Sequence, residues 1–402
     1  MTANFREIPL RSWILDSERH LSKAERTRSG RTSVSSAKEA QLAAMLASSA
    51  EYRPEETQIS ITPGIAEWML ANEVSLAFTS YQTGQLILAG VGPDRRLSFN
   101  EQNYARATGL CWDNGRLFVG SMFQIWRLEN MLKPGHFANN AFDSVFVPRT
   151  GHTVNYVDVH EIGVDLAHRL IFVNSRYSCL ATIDETHSFQ PIWKPSFISE
   201  LTPEDRCHLN GMAMVDGAPK YVTAIGVSDV KDGWREKRGQ GGVLIDVPSG
   251  EIVSDRLSMP HSPRVYGGKL WALDSGRGQI VHVDEANGQL DEVAFCPGFL
   301  RGLTFHNGYA LVTVSKVRDG SFKELPLQET LRKQGKQAAC GVLIVDLQRG
   351  KIIESIMFDG KVTEMFDIAA IPGVRNPMSV GPATVEMIGA LSVNDTFAPF
   401  QA

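Results

Sequence analysis

Cysteine is scarce in this chain. Five residues in 402, Cys111, Cys179, Cys207, Cys296 and Cys340, are odd in number, scattered, and form no CxxC pair. That excludes a disulfide framework and suits a reducing compartment. No run of 18 apolar residues occurs, which argues against a membrane-spanning helix. The opening MTANFREIPLRSWILDSERH has no uninterrupted apolar core of the signal-peptide kind. Excess positive charge is absent too: 40 Lys and Arg against 45 Asp and Glu give a net charge of −5. A nucleic-acid or acidic-membrane partner therefore has no electrostatic support. P-loop, GxSxG and HExxH motifs and a GxGxxG after a strand are all missing, and Gly239-Gln-Gly-Gly242 leads into no helix. These absences lead us to expect a cytoplasmic protein with neither nucleic acid nor membrane as partner.

What is present changes character near Gln58. Ser22–Ser36 is rich in Ser, Arg and Thr and reads as a mobile segment. Ala37–Ser49 (AKEAQLAAMLASS) predicts a short helix. Residues 1–58 thus read as a helical or mobile extension, 59–377 as the folded domain and 378–402 as a tail. Within the domain, short apolar runs alternate with tight turns. Asp113-Asn114-Gly115, Asn287-Gly288 and His306-Asn307-Gly308 predict type I′ hairpins, because Asn and Gly tolerate positive φ.

The decisive signal is a repeat. Opening strands align as Arg106-Ala-Thr-Gly-Leu110, His160-Glu-Ile-Gly-Val164, His208-Leu-Asn-Gly-Met212, His261-Ser-Pro-Arg-Val265, Phe299-Leu-Arg-Gly-Leu303 and Glu364-Met-Phe-Asp-Ile368. Third strands share an acidic ending, as in GVLIDV at 242–247, IVHVD at 280–284 and GVLIVDL at 341–347. Such a unit predicts an all-β propeller of six blades, with seven left open. The strand at Glu364 is expected to complete or adjoin the first blade.

Several segments also resemble, in order, the hallmark stretches of a bacterial propeller family of unknown function. They are Asp158-Val-His-Glu161, Pro203 to Gly211 (PEDRCHLNG), Met259-Pro-His-Ser-Pro-Arg264, Pro297 to Leu303 (PGFLRGL) and Phe366 to Gly373 (FDIAAIPG). The resemblance covers about 58–377 and implies the propeller without an activity. The Asn-Gly-x-Ala style of opening strand is more distantly similar to gluconolactonase-type calcium propellers. Their carboxylate and amide ligands are replaced here mostly by histidine.

In a propeller the first residue of each innermost strand lies near one mouth of the central channel. The alignment sets His160, His208 and His261 there in three consecutive blades, with Glu364 in the closing strand. Three imidazoles and a carboxylate suit a divalent transition metal such as Fe, Zn or Cu and leave positions open for substrate. Asp158 or Glu161 would orient an imidazole. The other reading of each histidine is a hydrogen-bonded residue filling a wet pore. Arg264, Arg301 and Glu161 are the candidate catalytic residues, and Arg106, Asn210, Trp234 and Arg235 the candidate substrate contacts. The arginines either clamp a carboxylate or phosphate or pair with Glu161, Asp158 or Asp367 to hold blades together. Two long connections, 227–241 and 316–340, are expected to rise over the same mouth. Cys207 alternates away from His208, against a Cys–His nucleophile pair. The expectation is a metalloenzyme for a small or peptidic substrate, its chemistry oxidation, hydrolysis or elimination. The alternative is a non-catalytic scaffold that binds protein or peptide on its top face.

Overall fold

The strand Val74–Ser80 (VSLAFTS) is buried at every position, and so is its neighbour Gln85–Val91 (QLILAGV). Alternation fails because both faces of each sheet are covered by adjacent sheets, so both must be apolar. The fourth strands, such as Leu97–Asn103 and Leu290–Phe295, lie at the rim and are only partly covered. In the computed structural model, which describes residues 57–316 and 325–394, 26 strands form six sheets. The protein is a six-bladed β-propeller.

Five blades run in chain order from the channel outward, and their innermost strands are Leu110–Asp113, Val159–Val164, Leu209–Val215, Pro260–Tyr266 and Phe299–His306. The remaining blade takes its innermost strand from the far end of the chain: Ile368–Pro372 pairs antiparallel with Val74–Ser80, Phe78 opposite Ile368 and Val74 opposite Pro372. Two further strands pin the ends. Thr57–Ile61 adds a fifth strand to the blade of Lys351–Gly360, and Pro377–Ser379 pairs in parallel with Ser144–Thr153. Both cover rims that would otherwise be open sheet edges. The helix expected at Ala37–Ser49 lies outside the described residues, as do most of the extension and residues 395–402 of the tail.

Cores form between blades. Leu76, Phe78 and Ile87 of the closing blade pack with Val342, Ile344 and Phe358 of its neighbour, and Leu300, Leu303 and Val312 pack with Trp271 and Leu273. The glycine in the repeat follows from this geometry. A Cβ on Gly109 would stand 2.9 Å from the His160 carbonyl oxygen, and one on Gly302 would stand 2.7 Å from the Asp367 Cα. Glycine lets the next innermost strand approach the channel. Where the repeat lacks it, at Arg264 and Asp367, a charged side chain occupies the register instead.

The turns divide. Asn114 and Gly115 both have positive φ, as do Asn307 and Gly308, in accord with type I′. At Asn287-Gly288 only the glycine does, and a wider hairpin forms. The cause is Asp284, whose carboxylate accepts the Ala286 N–H and the Asn287 amide and so caps a longer turn. The acidic ending of third strands has this role elsewhere as well, since Asp184 accepts the Thr186 and His187 N–H groups and Asp346 those of Gln348 and Arg349.

Gly302→Ala is expected to destabilise the protein by about 1–3 kcal/mol, because the added methyl meets backbone that cannot yield without moving a blade. Gly239→Ala, where nothing lies within 4 Å of a new Cβ, should stay within about 0.5 kcal/mol of wild type. Urea denaturation of both variants checks this, and equal effects would contradict it.

Candidate functional site

His160 and His261 are the second residues of two innermost strands, and His208 immediately precedes a third. The His160 and His208 rings meet edge to face, centroids 4.9 Å apart. His160 also meets Phe366 at 5.1 Å and His261 meets Phe299 at 5.5 Å. His208 lies against Trp234, centroids 4.4 Å apart. Trp234 is buried on the 227–241 connection, packed with Met259, Phe299 and the helix Pro326–Lys333 of the other long connection. Both excursions therefore cover the histidine mouth, although 317–324 lie outside the described residues.

Each imidazole is tied by Nδ1. His160 Nδ1 is 3.0 Å from the Asp158 carbonyl and 2.8 Å from Ser175 Oγ, whose own proton goes to the Leu209 carbonyl. His261 Nδ1 is 2.9 Å from the Met259 carbonyl and 3.1 Å from Ser275 Oγ. His208 Nδ1 is 2.9 Å from Asp205. A carbonyl oxygen only accepts, so Nδ1 carries the proton in the neutral ring and Nε2 keeps its lone pair. The His261 Nε2 is buried without a partner. Burial lowers the His160 pKa to about 4, against a partial upward pull from Asp158, and it holds His261 well below the usual range, with Arg301 adding to the effect. Left-handed backbone sets these side chains, with φ of 57° at Asp158, 51° at His208 and 46° at Met259.

Among the described residues no three His, Cys, Asp or Glu side chains form a ready metal-ligand set. Glu364 stands at the same mouth, where it accepts from the Tyr81 hydroxyl. Arg106 pairs with Asp158 at 2.8 Å, and its guanidinium lies 5.4 Å from the Tyr156 ring centre. Arg301 lies among the rings of Phe299, Phe366 and Tyr81, 5.0, 5.5 and 5.5 Å from their centres.

Four of the expected site residues are otherwise engaged. Glu161 binds Arg264 at 2.7 Å, and both line a cavity of about 410 Å³ at the opposite end of the channel, with Cys111, Asp113 and His306. Glu161 is one step further along its strand than His160, and a bulge separates Arg264 from His261, so both pass the histidine layer. Asp367 lies beside this pair, its carboxyl pushed well above the usual range by burial and by Glu161. Asn210 spends its amide on the Pro260 carbonyl and the Thr223 hydroxyl, tying two blades. Arg235 stacks outside Trp234, 4.6 Å from its ring centre, and pairs with Asp232. Sequence reasoning missed Tyr81, Phe366, Asp205, Ser175 and Ser275. The serines had a signal: each follows the second strand of its blade at one register, in Asn174-Ser175 and Asp274-Ser275.

Neutral buried histidines couple stability to pH. Their folded pKa is depressed, so the unfolded chain takes up more protons, and stability falls as pH drops below about 6.5 towards about 4. His160→Gln should remove up to about 3 kcal/mol of that loss between pH 7 and 4. Urea midpoints for wild type and variant across this range provide the check; parallel curves would contradict a neutral, buried His160.

Comparison with known proteins adds the family. Residues 63–380 match the model of a family described as a domain of unknown function (DUF4915). No curated protein matches the sequence. Similar solved structures include a chain of a nidogen/laminin complex (12% identity, 75% of this chain and 99% of that one, TM-score 0.48). A protein of unknown function from Bacteroides caccae is similar at 9% identity, over 74% of this chain and 99% of that one, with a TM-score of 0.44. Virginiamycin B lyase from Staphylococcus aureus is similar at 14% identity, over 60% and 73%, with a TM-score of 0.37.

Proposed function

The chain belongs to the DUF4915 family, and we propose that it is a metalloenzyme whose reaction takes place at the histidine mouth of the propeller channel. The observation that carries this reading is the shared tautomer of His160, His208 and His261. In each ring Nδ1 is held by a carbonyl, a serine or a carboxylate, which leaves Nε2 as a lone-pair donor. Metal-ligating histidines characteristically donate their other N–H in this way. Depressed protonation of His160 and His261 keeps those rings neutral at pH 7, as ligation requires. Glu364 is the fourth candidate ligand.

No three-ligand set is preformed among the described residues, so the reading requires the rings to close on the ion as it binds. Imidazole nitrogen suits Fe, Zn or Cu. Such an ion would supply Lewis acidity or redox chemistry. The chain's own contribution is a cover, from Trp234 and the helix Pro326–Lys333, that limits water at the mouth. The substrate in this reading is a small molecule or peptide end. A cytoplasmic setting is supported by the cysteines, all five of them free and four buried.

Metal analysis of purified, untagged protein should find about one transition-metal ion per chain. Replacing His160, His208 or His261 with Ala should weaken its binding about a hundredfold or more, since loss of an orienting partner alone costs about 10–100-fold. His282→Ala, on the third strand Gln279–Val283, serves as the control. Equal metal content in wild type, channel variants and control would overturn the proposal and favour the peptide-binding scaffold.

A further inference from the structure

Three arginines enter the channel, and their surroundings differ. Arg106 is neutralised by Asp158 and Arg264 by Glu161. Arg301 is 9% exposed, and its Nε is buried with no hydrogen-bond partner. Among the described residues no carboxylate comes within salt-bridge distance of it. Burial disfavours its charge most, Glu364 and Asp158 favour it from a distance, and Arg106 opposes it. Glu364 is engaged by Tyr81, and Asp158 by Arg106.

A guanidinium stays charged at any accessible pH and offers five N–H donors in a rigid fork. Burying one unpaired is costly, and aromatic faces offset only part of that cost. Phe299, Phe366 and Tyr81 instead fix its plane. Beside it is His261, whose buried Nε2 likewise lacks a partner. We propose that Arg301 anchors an anion subsite that receives the carboxylate of a small monoanionic ligand, aromatic rings lining its approach. A single charge is expected because Arg301 is the one uncompensated cation among the three arginines. A dianion would also be repelled by Asp158 and Glu364. The subsite deepens the reading of this mouth as an active site, but it requires no metal.

Calorimetric titration of chelator-treated full-length protein separates the two ideas. Benzoate should bind saturably. Its neutral isostere benzamide and inorganic phosphate should bind at least about tenfold more weakly. Arg301→Met keeps the aliphatic stem and should weaken benzoate about tenfold or more, because a charge-assisted bidentate pair is lost. Arg301→Lys should fall between them, with the charge retained and the fork gone. The melting temperature of Arg301→Met should match or exceed that of wild type, since an unpaired buried cation has been removed. No benzoate binding to wild type, equal binding to Arg301→Met, or phosphate binding as tightly as benzoate would overturn the subsite. So would a melting temperature several degrees lower in Arg301→Met, which would make Arg301 a structural counter-ion. Binding by the metal-free protein alongside a failed metal analysis would leave the subsite standing and the metal reading rejected.

Discussion

Five antiparallel residue pairs between Val74–Phe78 and Ile368–Pro372 close the ring. Everything at the channel depends on them. A blade that lacked its innermost strand would open the channel wall, and the Asp367 carboxylate, which accepts the Leu110 and Ile368 N–H groups, would lose its place between two blades. The same segment carries Glu364 and Phe366 to the histidine mouth. Closure by a strand from the far end of the chain therefore both stabilises the ring and brings Glu364 and Phe366 to the candidate site.

Charge in the channel is arranged in layers. Far from the histidines, Glu161 and Arg264 neutralise each other next to Asp367. At the mouth, Asp158 answers Arg106, while burial keeps His160 and His261 uncharged. Arg301 is the exception, and the aromatic rings about it hold its orientation without supplying a counter-charge. Natural cores rarely keep such groups without a use. The unpartnered Nε atoms of Arg106 and Arg301, Trp234 Nε1 and His261 Nε2 all belong to this one end of the molecule.

Much of the fold was legible in the sequence because the repeat expresses a geometric necessity. Glycine recurs at 109, 163, 211 and 302 where neighbouring blades come closest, and the histidines recur where innermost strands begin. Placement at the mouth thus followed from register alone. Orientation did not. Glu161 and Arg264 sit one and three residues beyond histidines, yet they belong to another layer, because strand pleat and a bulge carry them down the channel. Asn210 looked available in sequence, whereas its amide is consumed by a neighbouring blade. Tyr81 and Phe366 lie about 285 residues apart and meet only through ring closure, a contact that no local pattern encodes.

The account rests on His160, His208 and His261 presenting bare Nε2 atoms to one mouth. Nitrogen-15 NMR of the imidazole side chains in the purified protein at pH 7 reads this directly. Neutral His160 and His261 rings protonated at Nδ1, with Nε2 resonances of all three histidines that move together when a ligand or metal enters, are the result the account predicts. His160 and His261 rings protonated at Nε2, or titration of these two near pH 6.5, would contradict it.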